Sequence, residues 1–150
     1  MNFKKGQMKT DGVNYDQVLK SVPGRISESE ILYMIQTKEI NWEYLDTIKE
    51  LTDLNDETIS LWLNISVRSF RSYRQPNFKL KENLKEQVIY LLSLIQHGID
   101  IFGSKDSFDR WLTTKNFLLD GKAPVSFLST VTGIRFIDDR LTAMEYGDNV

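Results

Sequence analysis

Cysteine is absent from this chain of 150 residues, and histidine occurs once. The first absence excludes disulfides and thiolate metal sites, and it suits a reducing cytoplasm. The second gives no support to a histidine-rich metal centre or a His-dependent catalytic triad. No apolar run approaches the roughly 20 residues that a membrane span needs. The start, Met-Asn-Phe-Lys-Lys-Gly, lacks the apolar segment of a secretory signal. Phosphate loops, metal-ligand spacings and nucleophile–base pairs are missing as well. Asp138-Asp139 and Asp106/Asp109 are carboxylate pairs on helical stretches with no histidine or glycine loop beside them, so they read as solvated surface. His97, next to Gly98 near a helix end, reads as a surface or capping residue. No catalysis, no cofactor and no metal are expected.

What is there suits a soluble helical protein. The hydrophobic share of 41% is enough for a packed core, and the length predicts one domain or two small ones. A net charge of −2 does not announce a nucleic-acid binder, but its distribution raises the question. Glu28, Glu30, Glu39, Glu43, Asp46, Glu50, Asp53, Asp56 and Glu57 face only Lys38 and Lys49 in one block. Arg68, Arg71, Arg74, Lys79, Lys81 and Lys85 follow, against Glu82 alone.

Residues 1–24 show little periodicity and are expected to form a flexible arm, with one short helix around Tyr15 to Lys20. Ser27 and Glu30 then make an S-x-x-E capping box, with Ile26 and Ile31 at the staple positions. Ile31, Met34 and Ile35 give that helix a buried stripe. Asn41 caps a second helix, in which Trp42, Leu45, Ile48 and Leu51 recur at three or four residues.

Residues 54–74 read L-N-D-E-T-I-S-L-W-L-N-I-S-V-R-S-F-R-S-Y-R. Asn55 caps a short helix with acids in its first turn, and Ile59 and Leu63 face inward. Asn64 tolerates the left-handed conformation of a tight turn, Ile65 plugs it, Ser66 caps the next helix and Phe70 anchors it. This is a helix-turn-helix pattern, and it resembles the Xre-like repressors, with Ser60 and Asn64 where Ala and Gly are more usual. The residues expected to face DNA are Ser66, Arg68, Ser69, Arg71, Ser72 and Arg74, short polar groups and arginines that can meet phosphates or guanine edges. Pro76 ends the stretch. From Leu80 to about Phe102 runs a long helix whose apolar coverage is so broad that deep burial or a second subunit must cover it.

Residues 97–147 are punctuated by Gly and Pro. Ser104 is placed to cap a helix carrying Phe108, Trp111 and Leu112 on one face. Asn116 to Gly121 reads as a turn, with Leu118 and Leu119 available to plug a core. Pro124 suits the first position of a helix with Val125, Phe127 and Leu128, and Gly133 is expected to stop it in the left-handed conformation. A last amphipathic helix carries Ile137, Leu141 and Met144, and Gly147 follows its end.

The succession F-G, W-L, a Leu-x-Gly turn, a Pro-led helix, T-x-x-G and a closing E-Y-G resembles the toxin-binding C-terminal domain of the Xre/MbcA/ParS-type antitoxins. This chain departs from that family at Asp120-Gly121, where two glycines are usual, and at Phe108, where a smaller residue is common. The resemblance implies an antitoxin of a type II toxin–antitoxin system, repressing its own operon. Its implied partner is a RES-type toxin, ADP-ribosyltransferase-like in fold and NAD-using. The toxin-binding residues it points to are Arg140, Met144, Glu145, Tyr146, Gly147 and Asp148, around the closing E-Y-G.

The expected architecture is all-α. A helix-turn-helix DNA-binding region (25–78) is joined by a linking or dimerisation helix (79–103) to a small toxin-binding domain (97–150). A homodimer or higher even-numbered assembly is expected, because helix-turn-helix proteins match two half-sites and the long helix needs cover. Two other readings compete. One is a plain transcriptional regulator whose C-terminal module dimerises or senses a ligand. The other is an interaction adaptor that no longer binds DNA.

Overall fold

The structure, a computed structural model, describes residues 13–73, 75 and 79–147. The expected arm up to residue 12, the break at Pro76, Arg74 and Asp148 lie outside these residues. Short polar side chains start most of the helices, because each satisfies a backbone N–H that the helix itself cannot. Asn14 opens α1 (Tyr15–Lys20), and Ser27 with Glu30 forms the expected capping box of α2 (Glu28–Thr37). Asn41 caps α3 (Trp42–Thr52) and Asn55 caps α4 (Asp56–Leu63). Ser66 then starts α5 (Val67–Tyr73) by accepting from Ser69 N at 3.0 Å. The longest helix, α6 (Glu82–Phe102), ends at Gly103 with φ 82°. Ser104 caps α7 (Lys105–Thr113). Two 3₁₀ helices, Phe117–Leu119 and Pro124–Phe127, lead to α8 (Val131–Glu145), capped by Thr130. The fold is all-α, as the periodicities predict.

Helix α6 is the axis on which the others pack: α1, α2, α3, α4, α7 and α8 all touch it. Val88, Ile89, Leu91, Leu92, Leu94 and Ile95 are no more than 2% exposed. Each such side chain contributes about 1.5–3 kcal/mol of transfer free energy. The breadth of its apolar surface therefore has an explanation within one chain. Of the two covers the sequence allows for the helix over 79–103, deep burial within the chain accounts for that breadth, so the helix gives no separate argument for a dimer. Leu19, Ile48, Leu63, Leu91 and Ile137 belong to the same hydrophobic cluster, so one core runs through both expected halves.

Residues 13–24 are no arm. Val13, Tyr15, Leu19 and Val22 are buried, and the Tyr15 hydroxyl donates to Asp46 Oδ2 at 2.5 Å. Ser93 of α6 fastens the following loop, donating to Pro23 O at 2.7 Å and accepting from Ile26 N at 3.0 Å. The few apolar residues of this stretch are spaced to face one way, which its polar composition hides.

Two further expectations are corrected in the closing stretch. Gly133 does not stop a helix but stands inside the first turn of α8, its N–H bonded to Thr130 Oγ1 at 2.9 Å. Its role is close approach: a Cβ there would lie 1.8 Å from Phe127 O, so only glycine lets α8 meet the preceding 3₁₀ helix. Leu119 plugs the core as expected, whereas Leu118 is exposed. A single 3₁₀ turn cannot aim two neighbouring side chains into the same core.

Candidate partner-binding surfaces

Helices α4 and α5 are joined by the tight turn that the sequence marks at Asn64. Asn64 takes the left-handed conformation at φ 56° and ψ 41°, and Ile65 N returns to Ser60 O at 3.1 Å, closing the turn between them. Ile59, Leu63 and Phe70 hold the pair from inside. The Asn64 side chain also donates to Ser129 O at 2.6 Å, and Gln87 of α6 donates to Trp62 O and to Ser129 O. The turn of the pair is thus fastened to the loop that precedes α8.

Of the side chains expected to face DNA, Arg68 is exposed and has no side-chain partner among the described residues. Ser66 is spent on capping, and Ser72 Oγ donates to Arg68 O at 3.0 Å. Ser69 is half-buried and accepts from Ser66 Oγ at 3.1 Å. Arg71 is committed within the fold, its Nε donating to Asp56 Oδ2 at 2.9 Å while Lys49 donates to the other oxygen. Burial alone would push the Asp56 carboxyl up, but the hydrogen bonds from Lys49 and Arg71 outweigh it and hold it below its ordinary 3.8. That double pairing ties α3, α4 and α5 together.

In the closing module, Asn116 N bonds Lys122 O at 3.0 Å and shuts the turn that the sequence marks. Asp120 at φ 57° and Gly121 at φ 75° are both left-handed. That accounts for the two glycines usual in the family, and for aspartate being tolerated at the first. The departure at Phe108 has a partner too. A Cβ on Gly98 would lie 2.2 Å from the Phe108 ring, so the glycine of α6 makes room for a large ring on α7. Phe102, Phe108 and Trp111 then form one aromatic group, with centroids 5.6–6.2 Å apart.

His97 overturns its surface reading. It is 4% exposed, with Nδ1 at 2.7 Å from Asp138 Oδ1 and Nε2 at 3.0 Å from Glu145 Oε1. Burial alone would push the imidazole down, yet the hydrogen bonds to Asp138 and Glu145 prevail and hold it above its ordinary 6.5. Asp138 therefore leaves the solvated surface to Asp139, which is exposed. Asp106 and Asp109 gather with Asp53 at the surface, where Lys105 Nζ already lies 2.5 Å from Asp53 Oδ2.

Around the closing E-Y-G, Arg140 is half-buried on α8 and Met144 packs against the core. Glu145 is held by His97 and lies 3.9 Å from Arg25 Nη1. Tyr146, 72% exposed, ends α8, and Gly147 follows at φ 80°. The Tyr146 hydroxyl is the chief group holding the Arg25 guanidinium above its ordinary value. Arg25 is a contributor that the sequence gives little means of finding, since it comes from the α1–α2 loop at φ 58°. Phe117, 88% exposed at the tip of the 116–122 turn, was also unmarked, although an aromatic inside a turn is a visible signal.

Together these features give an all-α protein with a tight two-helix turn at α4–α5 and an exposed closing turn after α8. Residues 97–147 match the family model of the antitoxin Xre/MbcA/ParS C-terminal toxin-binding domain, as the resemblance in sequence implies. That family is a toxin-binding antitoxin domain, which supports the role of an antitoxin and a toxin as partner. No curated protein matches the chain. Among the described residues, no helix is long and apolar enough to cross a membrane.

Proposed function

We propose that this chain is the antitoxin of a type II toxin–antitoxin pair that neutralises a RES-type, NAD-using toxin and represses the operon encoding both. It acts by binding rather than by catalysis. What carries the reading is the match over 97–147 combined with the exposure of Tyr146 beyond the end of α8. A rigid helix ends there in an aromatic side chain and a left-handed glycine, which can enter a cleft without disturbing the core. Asp148, or the Glu145 oxygen that His97 does not hold, supplies an acid that can take the place of NAD phosphates through charge-assisted hydrogen bonds. Arg140 and Met144 flank that ending on the last turns of α8.

Operator binding rests on the α4–α5 pair, with Ser66, Arg68, Ser69, Arg71, Ser72 and Arg74 as the residues assigned to DNA. A two-fold operator calls for a homodimer or higher even assembly in the cytoplasm, although α6 no longer argues for it. The adaptor reading draws on the commitment of Arg71 to Asp56, which removes one arginine from the set available to DNA.

Co-expression separates these readings. Cells carrying a RES-type toxin encoded beside this chain should grow when the chain is supplied, and a reporter behind the shared promoter should fall silent. Growth without silencing selects the adaptor reading, and silencing without growth selects the plain regulator.

A further inference from the structure

We propose that His97 is the positioning residue of the closing turn, a buried imidazolium that clasps Glu145 and Asp138 and so holds Tyr146-Gly147 in the form a partner meets. The inference rests on the toxin-binding reading of that turn. Geometry demands the charge. Both ring nitrogens face carboxylate oxygens, at 2.7 and 3.0 Å, and an ionised carboxylate only accepts. A neutral imidazole has one N–H and would leave one contact with no proton. The clasp also sits at the last turn of α8, where a cation favours the helix dipole. At that end Tyr146 N is shared between Thr142 O and Ala143 O, both at 3.2 Å, and Gly147 N bonds Met144 O at 3.0 Å, so the backbone sets the turn and the clasp adds a side-chain hold on it.

The groups around the ring are few. Asp138 and Glu145 reach it from α8, and Arg25 stands beyond Glu145 on the α1–α2 loop with Tyr146 against it. Gln96 and Asp100, on α6 itself, bond to each other at 3.3 Å. A cleft of about 230 Å³ borders the clasp at Asp138, with Arg25, Arg135, Asp139 and Thr142 also in its lining. The folded imidazole lies above its unfolded 6.5. The clasp is therefore complete below 6.5 and is lost as pH rises through the folded value. Glu145 is the more exposed of the two carboxylates, at 44% against 22%, and is the one released when the second proton goes. Alkalinisation thus loosens the closing turn while the core stays intact.

Because the chain has a single histidine, its ring C–H signal in an NMR pH titration is unambiguous. Its midpoint should lie above 6.5, and the amide signals of Tyr146 and Gly147 should move with the same midpoint. Asp138→Asn, at a half-buried position, should shift both midpoints together toward lower pH. An imidazole that titrates at or below 6.5 overturns the proposal, as do closing-turn amides that stay still while the ring titrates. These signals are read on the chain alone, so their failure leaves the toxin–antitoxin reading standing. The lack of a toxin partner would equally leave them unchanged.

Discussion

Gly98 and Phe108 share one volume. A methyl group on Gly98 would stand 2.2–2.4 Å from three carbons of the Phe108 ring, and that ring is fully buried. Gly98→Ala should cost about 1–3 kcal/mol through overpacking. Phe108→Leu should cost a similar amount by leaving a cavity. Combined, the two should cost clearly less than their sum, since the smaller side chain vacates the place the new methyl needs. Denaturant melts of the two single variants and the double would show this, and strict additivity would contradict the shared volume. The resemblance in sequence pointed at Phe108 as an oddity, but not at its cause. Gly98 reads as an ordinary glycine near a helix end until α6 and α7 are brought together.

At the scale of elements, α4 and α5 carry two arginines with different duties. Arg68 is exposed and unpartnered among the described residues, whereas Arg71 neutralises the buried Asp56 together with Lys49. Arg68→Ala should weaken operator binding by about 1–3 kcal/mol with an unchanged melting temperature. Arg71→Ala should lower stability by about 1 kcal/mol, a charged hydrogen bond discounted because Arg71 is largely exposed, and should affect DNA binding less than Arg68→Ala does. Gel shifts at two salt concentrations, beside thermal melts, would distinguish them. Identical behaviour of the two variants in both assays would sink the division. Helix caps were legible here because capping is local: Ser27, Asn41, Asn55, Ser66 and Ser104 each act within three residues. The Asp56 pairings were not, since they depend on the angles at which α3, α4 and α5 meet. Gly133 misled for the same reason, its space being set by Phe127 rather than by its own helix.

Across the whole molecule, α6 unites what the sequence divided. Its apolar breadth was legible, but periodicity cannot say whether a second subunit or the chain itself covers it, and here α1, α2, α3, α4, α7 and α8 do. The match over 97–147 begins at His97, on α6, so the closing module borrows its first turns from the core of the other half. His97 then reaches Asp138 and Glu145 on α8, which fixes where the closing turn stands. A truncation that removes the turn should therefore spare Glu145, so that the clasp on His97 is unchanged. A chain ending at Glu145 keeps the clasp and loses only Tyr146, Gly147 and the residues after them. Calorimetric titration of this shortened chain and of the full chain against a purified RES-type toxin tests the central claim most directly. The full chain should bind. The shortened chain should keep its melting temperature and lose at least about 100-fold in affinity, equivalent to about 2.7 kcal/mol. Undiminished binding by the folded, shortened chain would contradict the account and place the toxin-binding surface elsewhere.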